Sequence, residues 1–313
     1  MANAREIQNR IRSIKDTMKI TKAMYMMSSM KLRRAKQKLQ DTEPFFYALQ
    51  EQISSILSRF PEMRHLYFDN REKDQRELVK KKGYIVITGD KGMAGAYNHN
   101  VIKKAQELTK TAVDYHMYIV GEVGRHHFAS LNYPVDETFL FSANNPSIHR
   151  ARVITERIVD LYNREELDEV YLIYTRMINS MKEEVEVQQL LPLKTRQFVR
   201  QELLDKAHPS EFDKETLESA DDWFLIYPSP RKIIEKLVYN YVTGFIYGAL
   251  VESSASEENS RMMAMQAATN NAEAMLNMLS VQYNRIRQAA ITQEITEVIG
   301  GAKALKKKKK LVR

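Results

Sequence analysis

The chain has no cysteine among its 313 residues, which excludes disulfides, thiolate metal sites and cysteine nucleophiles. Histidine is scarce at seven, and the adjacent pair His126-His127 lacks the i, i+4 spacing that sets two ligands on one helix face. No metal or cofactor is therefore expected. No apolar run approaches the ~20 residues needed to span a bilayer. The opening MANAREIQNR has no apolar signal core and is not Arg/Ser-rich in the manner of a transit peptide, so secretion by the usual route is not expected. No nucleophile–base–acid constellation stands out, so an enzyme acting alone has nothing to rest on.

Glycine and proline are few and unevenly placed. Residues 1–82 contain no glycine and only Pro44 and Pro61; residues 231–299 contain no proline and only Gly244 and Gly248. Nothing in these stretches stops a helix, so both read as long helices. In the first, Ile7, Ile11, Ile14, Met18, Thr21, Tyr25, Ser28, Leu32, Ala35 and Leu39 recur at alternating steps of four and three. That is a sustained heptad seam with small or polar residues at its centre. Ala272, Leu276, Leu279, Tyr283, Ile286 and Ala290 follow the same rule in the second. Ser229-Pro230 supplies an N-cap and a first-turn proline, and Gly300-Gly301 is expected to supply the stop. The second helix would then hold roughly 70 residues and measure ~105 Å.

What is abundant is charge, and it is segregated. The first 40 residues carry eleven Lys/Arg against Glu6 and Asp16, and residues 306–313 carry five lysines and an arginine. With a net charge of +8 overall, the stretch between them is net acidic. Basic ends point to an anionic partner: nucleic acid, membrane surface or acidic protein.

The middle changes period. Candidate strands are 84–88, 115–120, 135–141, 169–176 and 184–191, with helical segments near 97–110, 122–131 and 147–163. Alternating strand and helix implies a mostly parallel sheet covered on both faces, and the short link Met177–Glu183 implies an antiparallel hairpin at its edge. The expected fold is an antiparallel coiled coil of the N- and C-terminal helices with an inserted Rossmann-like α/β domain. Its divisions are 1–60 (N-terminal coiled-coil helix), 61–82 (connector), 83–195 (α/β domain), 196–228 (connector and foot), 229–305 (C-terminal coiled-coil helix) and 306–313 (basic tail).

Directly after the first strand, residues 88–98 read TGDKGMAGAYN. A P-loop needs G-x-x-x-x-G-K-[ST], but here Lys91 precedes Gly92 and no Lys-Ser or Lys-Thr follows a glycine. The spacing G-x-x-G-x-x-G also departs from the dinucleotide fingerprint, although Glu122 could imitate its ribose-binding acid. A phosphate site is disfavoured. The loop is either a tight structural turn or a partner contact with Asp90 and Lys91 displayed at its tip.

Four motifs resemble one family, in order. KITKAMYMMSSMKLRRA, TGDKGMAGAYN, SRMMAMQAATNNA and ITQEITEVIGGAKAL are similar to stretches of the gamma subunit of F-type ATP synthases, and the similarity is collinear from about residue 2 to residue 305. The resemblance implies a non-catalytic rotor shaft, one copy per complex. It would pass through a hexamer of alpha and beta subunits and stand with the epsilon subunit on the membrane ring of c subunits. The site residues implied are Met24 and Lys31, facing the acidic lever of beta; Asp90, Lys91 and Gly92, in a loop that catches beta; and Arg261, Arg287, Gln288, Thr292 and Glu294 on the C-terminal helix. Phe224, Ile226 and Tyr227 match the foot on the c ring only loosely.

Three positions depart from the family: Tyr25 where Glu is frequent, Gly89 where Ser or Asp is common, and Ala94 where Cys is frequent. With no cysteine-bearing insertion, the thiol switch of chloroplast relatives is absent, and a bacterial protein is the simplest assignment. It would lie at the cytoplasmic face of the plasma membrane, touching the membrane through the c ring only. The KKKKKLVR tail extends beyond the usual family end and is expected to protrude without a part in torque. The competing class is a basic coiled-coil nucleic-acid-binding or scaffold protein. Against it, aliphatic rather than aromatic residues separate the N-terminal charges, and no groove-reading motif appears.

Overall fold

Without glycine, and with Pro44 as its one interior proline, the opening stretch forms a single helix, α1 (Ala2–Arg59). The computed structural model describes residues 2–60, 65–68, 80–179, 181–194, 198 and 229–311. The other elements are β1 (Lys81–Ile87), α2 (Tyr97–Thr109), β2 (Asp114–Val120), α3 (Glu122–Ser130), α4 (Ile148–Asn163), β3 (Glu169–Met177), β4 (Glu183–Leu191) and α5 (Pro230–Leu311). The start of α5 is the one expected: the Lys232 N–H donates to Ser229 Oγ at 3.4 Å, and Pro230 occupies the first turn. Its end is not. The helix runs through Gly300-Gly301 to Leu311. A helical glycine costs about 1 kcal/mol relative to alanine. The following Ala302, Lys303, Ala304 and Leu305 are strong helix formers that offset this cost, and nothing forces a left-handed exit.

The residues divide into two compact units, Met1–Ser28 with Arg261–Arg313, and Ser29–Ser260. In the first, two helical segments pair along the seam that the heptads define. Ile7, Thr21 and Ser28 are buried on one segment, and Met265, Thr269 and Ala272 on the other. The Thr21 and Thr269 hydroxyls share a hydrogen bond of 2.8 Å, and Lys22 Nζ lies 3.3 Å from Glu273 Oε1. Leu276, Leu279, Tyr283, Ile286 and Ala290 are half-buried. Beyond Ala290 the seam meets no partner among the described residues, and every residue from 291 to 303 is exposed.

The second unit is built on a four-stranded sheet of order β2-β1-β3-β4. Strand β1 pairs in parallel with β2 and β3, whereas β3 and β4 form the expected antiparallel edge hairpin. The expected strand at 135–141 is not one. Only two isolated bridges form, Met117↔Val135 and Val120↔Phe141. Between them Asp136 Oδ1 accepts from both the Thr138 N–H (2.8 Å) and its hydroxyl (2.6 Å), a local turn that competes with the ladder.

Both faces of the sheet are covered, as the period of two along β1 requires. Tyr84 and Val86 pack against Val101, Ile102 and Ala105 of α2 and Phe128 of α3. Ile85 and Ile87 face α4 (Ile154, Ile158) together with Ile53 of α1 and Val242 and Ile246 of α5. In this unit α1 and α5 run antiparallel: Lys31 Nζ meets Glu258 Oε1 at 3.0 Å, and farther along α1 the Phe46 ring stacks 4.9 Å from the earlier Tyr241. Serines bring α5 close to β3. The Thr175 N–H donates to Ser253 Oγ and the Ser256 hydroxyl donates to the Thr175 carbonyl, each at 3.3 Å. Beside them, burial pushes the Glu252 carboxyl up to about 7; Arg176 pulls it down and Glu186 pushes it up, without undoing that shift.

Three substitutions test the packing and the buried charge. Ile85 is fully buried, so Ile85→Ala is expected to cost about 2–5 kcal/mol in denaturant unfolding. The exposed Ile295→Ala is expected to change stability by less than about 0.5 kcal/mol. Glu252 binds its proton more tightly when folded than the ~4.3 typical of an unfolded chain, so stability falls as pH rises from there through 7. Glu252→Gln should therefore stabilise by on the order of 1–2 kcal/mol at pH 8, with the gain lost near pH 4. Thermal melts at both pH values check this, and an equal gain at each would refute it.

Candidate partner-contact site

Loop 88–98 leaves the C-terminal end of β1, where open α/β sheets bind ligands between the first strands and helices. A phosphate at the start of α3, the helix beside this loop, would need free backbone N–H groups. The first three N–H groups of α3 are already taken, all by the loop itself. Glu122 donates to Asp90 Oδ1 (3.2 Å), Val123 to the Gly89 carbonyl (3.1 Å) and Gly124 to Thr88 Oγ1 (3.0 Å). Within the loop, the Thr88 N–H goes to the Val120 carbonyl at 2.9 Å and that of Gly89 to Asn98 Oδ1 at 2.8 Å. The chain's own carboxylate, on Asp90, stands where an anion would bind.

Asp90 is thus turned inward rather than displayed at the tip. Besides Glu122 it accepts from the Ser142 hydroxyl (2.5 Å) and from the Ala143 and Asn144 N–H groups (3.2 and 3.0 Å). Burial by itself would raise its pKa, but the hydrogen bonds from Ser142, Ala143, Asn144 and Glu122 outweigh it and hold the carboxyl below the usual value. The same atoms tie β1, α3 and the 142–144 turn together. Arg150 completes that turn, donating through Nη1 to the Ser142 and Asn144 carbonyls at 2.9 and 2.6 Å.

One glycine here is demanded by close approach to backbone. A Cβ on Gly121, which has φ 95°, would lie 2.2 Å from the Thr88 carbonyl oxygen, so no other residue fits beneath the loop. A Cβ on Gly89 would lie 2.9 Å from the Glu257 carboxylate of α5, the mobile end of a side chain that would have to shift aside. Behind the loop the Ser260 hydroxyl donates to Glu183 Oε1 at 2.5 Å. Burial raises the Glu183 carboxyl, against the lowering effect of that bond.

The loop's outward surface is Lys91, Gly92 and Met93, all exposed. Asn98 steadies it from within: its Nδ2 donates to the Lys91 carbonyl at 3.4 Å. Also in this unit, Lys31 leaves its side chain 57% exposed while its ammonium pairs with Glu258, whose side chain is 6% exposed. In the other unit Met24 is half-buried and Arg261 buried. Arg287, Gln288, Thr292 and Glu294 are exposed on α5, with the Thr292 hydroxyl donating to the Gln288 carbonyl at 2.9 Å. Phe224, Ile226 and Tyr227 lie outside the described residues. Sequence reasoning passed over Met93, Asn98 and the 142–144 turn. The asparagine closing TGDKGMAGAYN was the available signal, since an Asn side chain readily bonds nearby backbone. Among the described residues no group of three or more His, Asp or Glu side chains could hold a metal ion, and no helix is long and apolar enough to cross a membrane.

Asp90→Ala is expected to destabilise by about 1.5–3 kcal/mol, because it strands donors that now bond a charged acceptor. The native carboxyl is depressed, so its contribution is present above the ordinary Asp value near ~3.9 and fades as pH falls through the folded value. Unfolding of both proteins from pH 7 to pH 3 checks this, with the two curves converging at the acid end.

Comparison with known proteins completes the picture. The ATP synthase family model matches residues 3–305. The ATP synthase gamma chain of Acetivibrio thermocellus is 42% identical over 306 residues, covering 98% of this chain and 100% of the relative. The sodium-ion-specific ATP synthase gamma chain of Acetobacterium woodii is 36% identical, covering 97% and 99% respectively. Among solved structures, a chain of the Euglena gracilis mitochondrial ATP synthase (OSCP/F1/c-ring) superposes with a TM-score of 0.63 at 17% identity, covering 97% of this chain and 95% of that one, a likeness of fold. The match runs through both long helices, the inserted sheet and the loop just described, and on that footing the chain belongs to the ATP synthase gamma chain family.

Proposed function

We propose that this chain is the central rotor shaft of a bacterial F-type ATP synthase and performs no bond chemistry itself. The observation that carries the reading is the end of α5. From residue 291 to 303 the helix has no partner among the described residues of its own unit, and Ile291, Ile295, Val298 and Ile299 are exposed along it. Apolar surface of this kind on a helix without a mate calls for an enclosing partner. A sleeve of alternating alpha and beta subunits meets that need.

In this reading ion flow turns a membrane ring of c subunits and the shaft turns with it. The ring contact falls to Phe224, Ile226 and Tyr227, which lie outside the described residues, and the epsilon subunit stands alongside. The complex sits peripherally at the cytoplasmic face of the plasma membrane. At each angle the shaft offers a different face to each of three like beta subunits. Only such unequal contacts can bias their conformational equilibria, since a shaft touching all three alike would shift nothing. The contact residues are Met24, Lys31, Lys91, Gly92, Arg287, Gln288, Thr292 and Glu294; Arg261, which the resemblance also implied, is buried and offers no such surface. Asp90 acts one step back, by holding the loop. Residues 306–313 lie beyond the torque-bearing part.

Co-expression with alpha and beta subunits tests this. The expected product is a complex with one copy of this chain and ATP turnover that depends on it. Two copies per complex would refute a central shaft, because one axis holds one asymmetric shaft.

A further inference from the structure

Met93 combines two features that no helix or core contact accounts for. Its φ is 61° and the residue is 63% exposed. Among the described residues three other non-glycine positions have positive φ, and each has a local reason. Asn132 and Asn145 are asparagines, which tolerate the left-handed region. Glu165 closes α4: its N–H donates to the Tyr162 carbonyl at 3.2 Å, and that of Glu166 to the Leu161 carbonyl at 3.0 Å. Met93 closes no helix. It sits one residue after Gly92 and two before Gly95, in a loop where a further glycine would have relieved the strain.

The ground beneath it is firm. Asp90 is fixed by four donors, Asn98 spans Gly89 and Lys91, and Ala94 and Tyr97 are buried. A held loop therefore lifts one long apolar side chain into solvent, beside the exposed Lys91. A pre-set loop loses little freedom on docking. Methionine adapts to surfaces that differ in shape, as a contact made in turn with several copies of one partner must.

We propose that Met93 is the apolar anchor of this loop, seating in a hydrophobic socket with an acidic rim on a beta subunit, with Lys91 guiding it. The inference rests on the rotor reading and deepens it. Strain kept at an exposed position is a mark of use rather than of packing.

The test uses the complete complex with alpha and beta subunits and two variants. Asparagine accepts the left-handed backbone but lacks the apolar reach; leucine keeps the reach. M93N should melt no lower than the native protein and co-purify in the same ratio, while ATP turnover falls threefold or more. M93L should restore most of that turnover. Turnover of M93N less than threefold below native, an equal loss in M93L, or a lowered melting temperature in M93N would each overturn the anchor. Failure of the native chain to co-purify would instead bring down the rotor reading, and the anchor with it.

Discussion

Neither terminal helix of this chain can bury its apolar stripe alone, and each unit of the structure is organised by that need. In one unit, residues before Ser28 pair with residues after Arg261 along a seam that includes the Thr21–Thr269 hydroxyl pair. In the other, the continuing stretch of α1 pairs with the first part of α5, and the two roof one face of the sheet. A segment that starts the chain and a segment that ends it must meet for either to be stable. Everything between them is thereby held as an insert.

The insert uses the same economy at small scale. A helix start beside a glycine-rich turn is a ready anion site. Here Thr88, Gly89 and Asp90 occupy that site with their own oxygen atoms. What resembles a phosphate cradle is a self-capped joint between β1, α3 and the turn at 142–144. Its rigidity is directed outward, towards Lys91, Gly92 and Met93.

Buried polarity marks where α5 passes the sheet. Ser253, Ser256 and Ser260 are small enough for close approach and supply hydrogen bonds that aliphatic residues would not. Glu258 is buried with Lys31 as its counterion, which makes Lys31 part of the internal pairing as well as an exposed cation. A lysine in this position is held at a set place on the surface. The interaction fixes geometry more than it stabilises, since the desolvation of Glu258 opposes the attraction.

Much of this was legible beforehand, because periodicity is a local property. Heptad steps place Ile7 through Ala35 and Ala272 through Ala290 on the less exposed sides of their helices, whatever the rest of the chain does. The alternation of strand and helix, the edge hairpin and the Ser229 cap likewise follow from neighbours in sequence. The direction of Asp90 could not be read that way, since its partners at Ser142, Ala143 and Asn144 lie more than fifty residues farther on. At 135–141 the expected strand gives way to a local turn, in which the Asp136 side chain takes the Thr138 N–H and its carbonyl the Phe139 N–H, while its own N–H still bonds Met117. The passage of α5 through Gly300-Gly301 turned on the sum of propensities around the pair rather than on the pair itself. The sequence by itself determined which faces are apolar and in what order the elements come. The tertiary structure alone decided which polar side chains turn inward, because that choice depends on donors and acceptors that folding brings from distant parts of the chain.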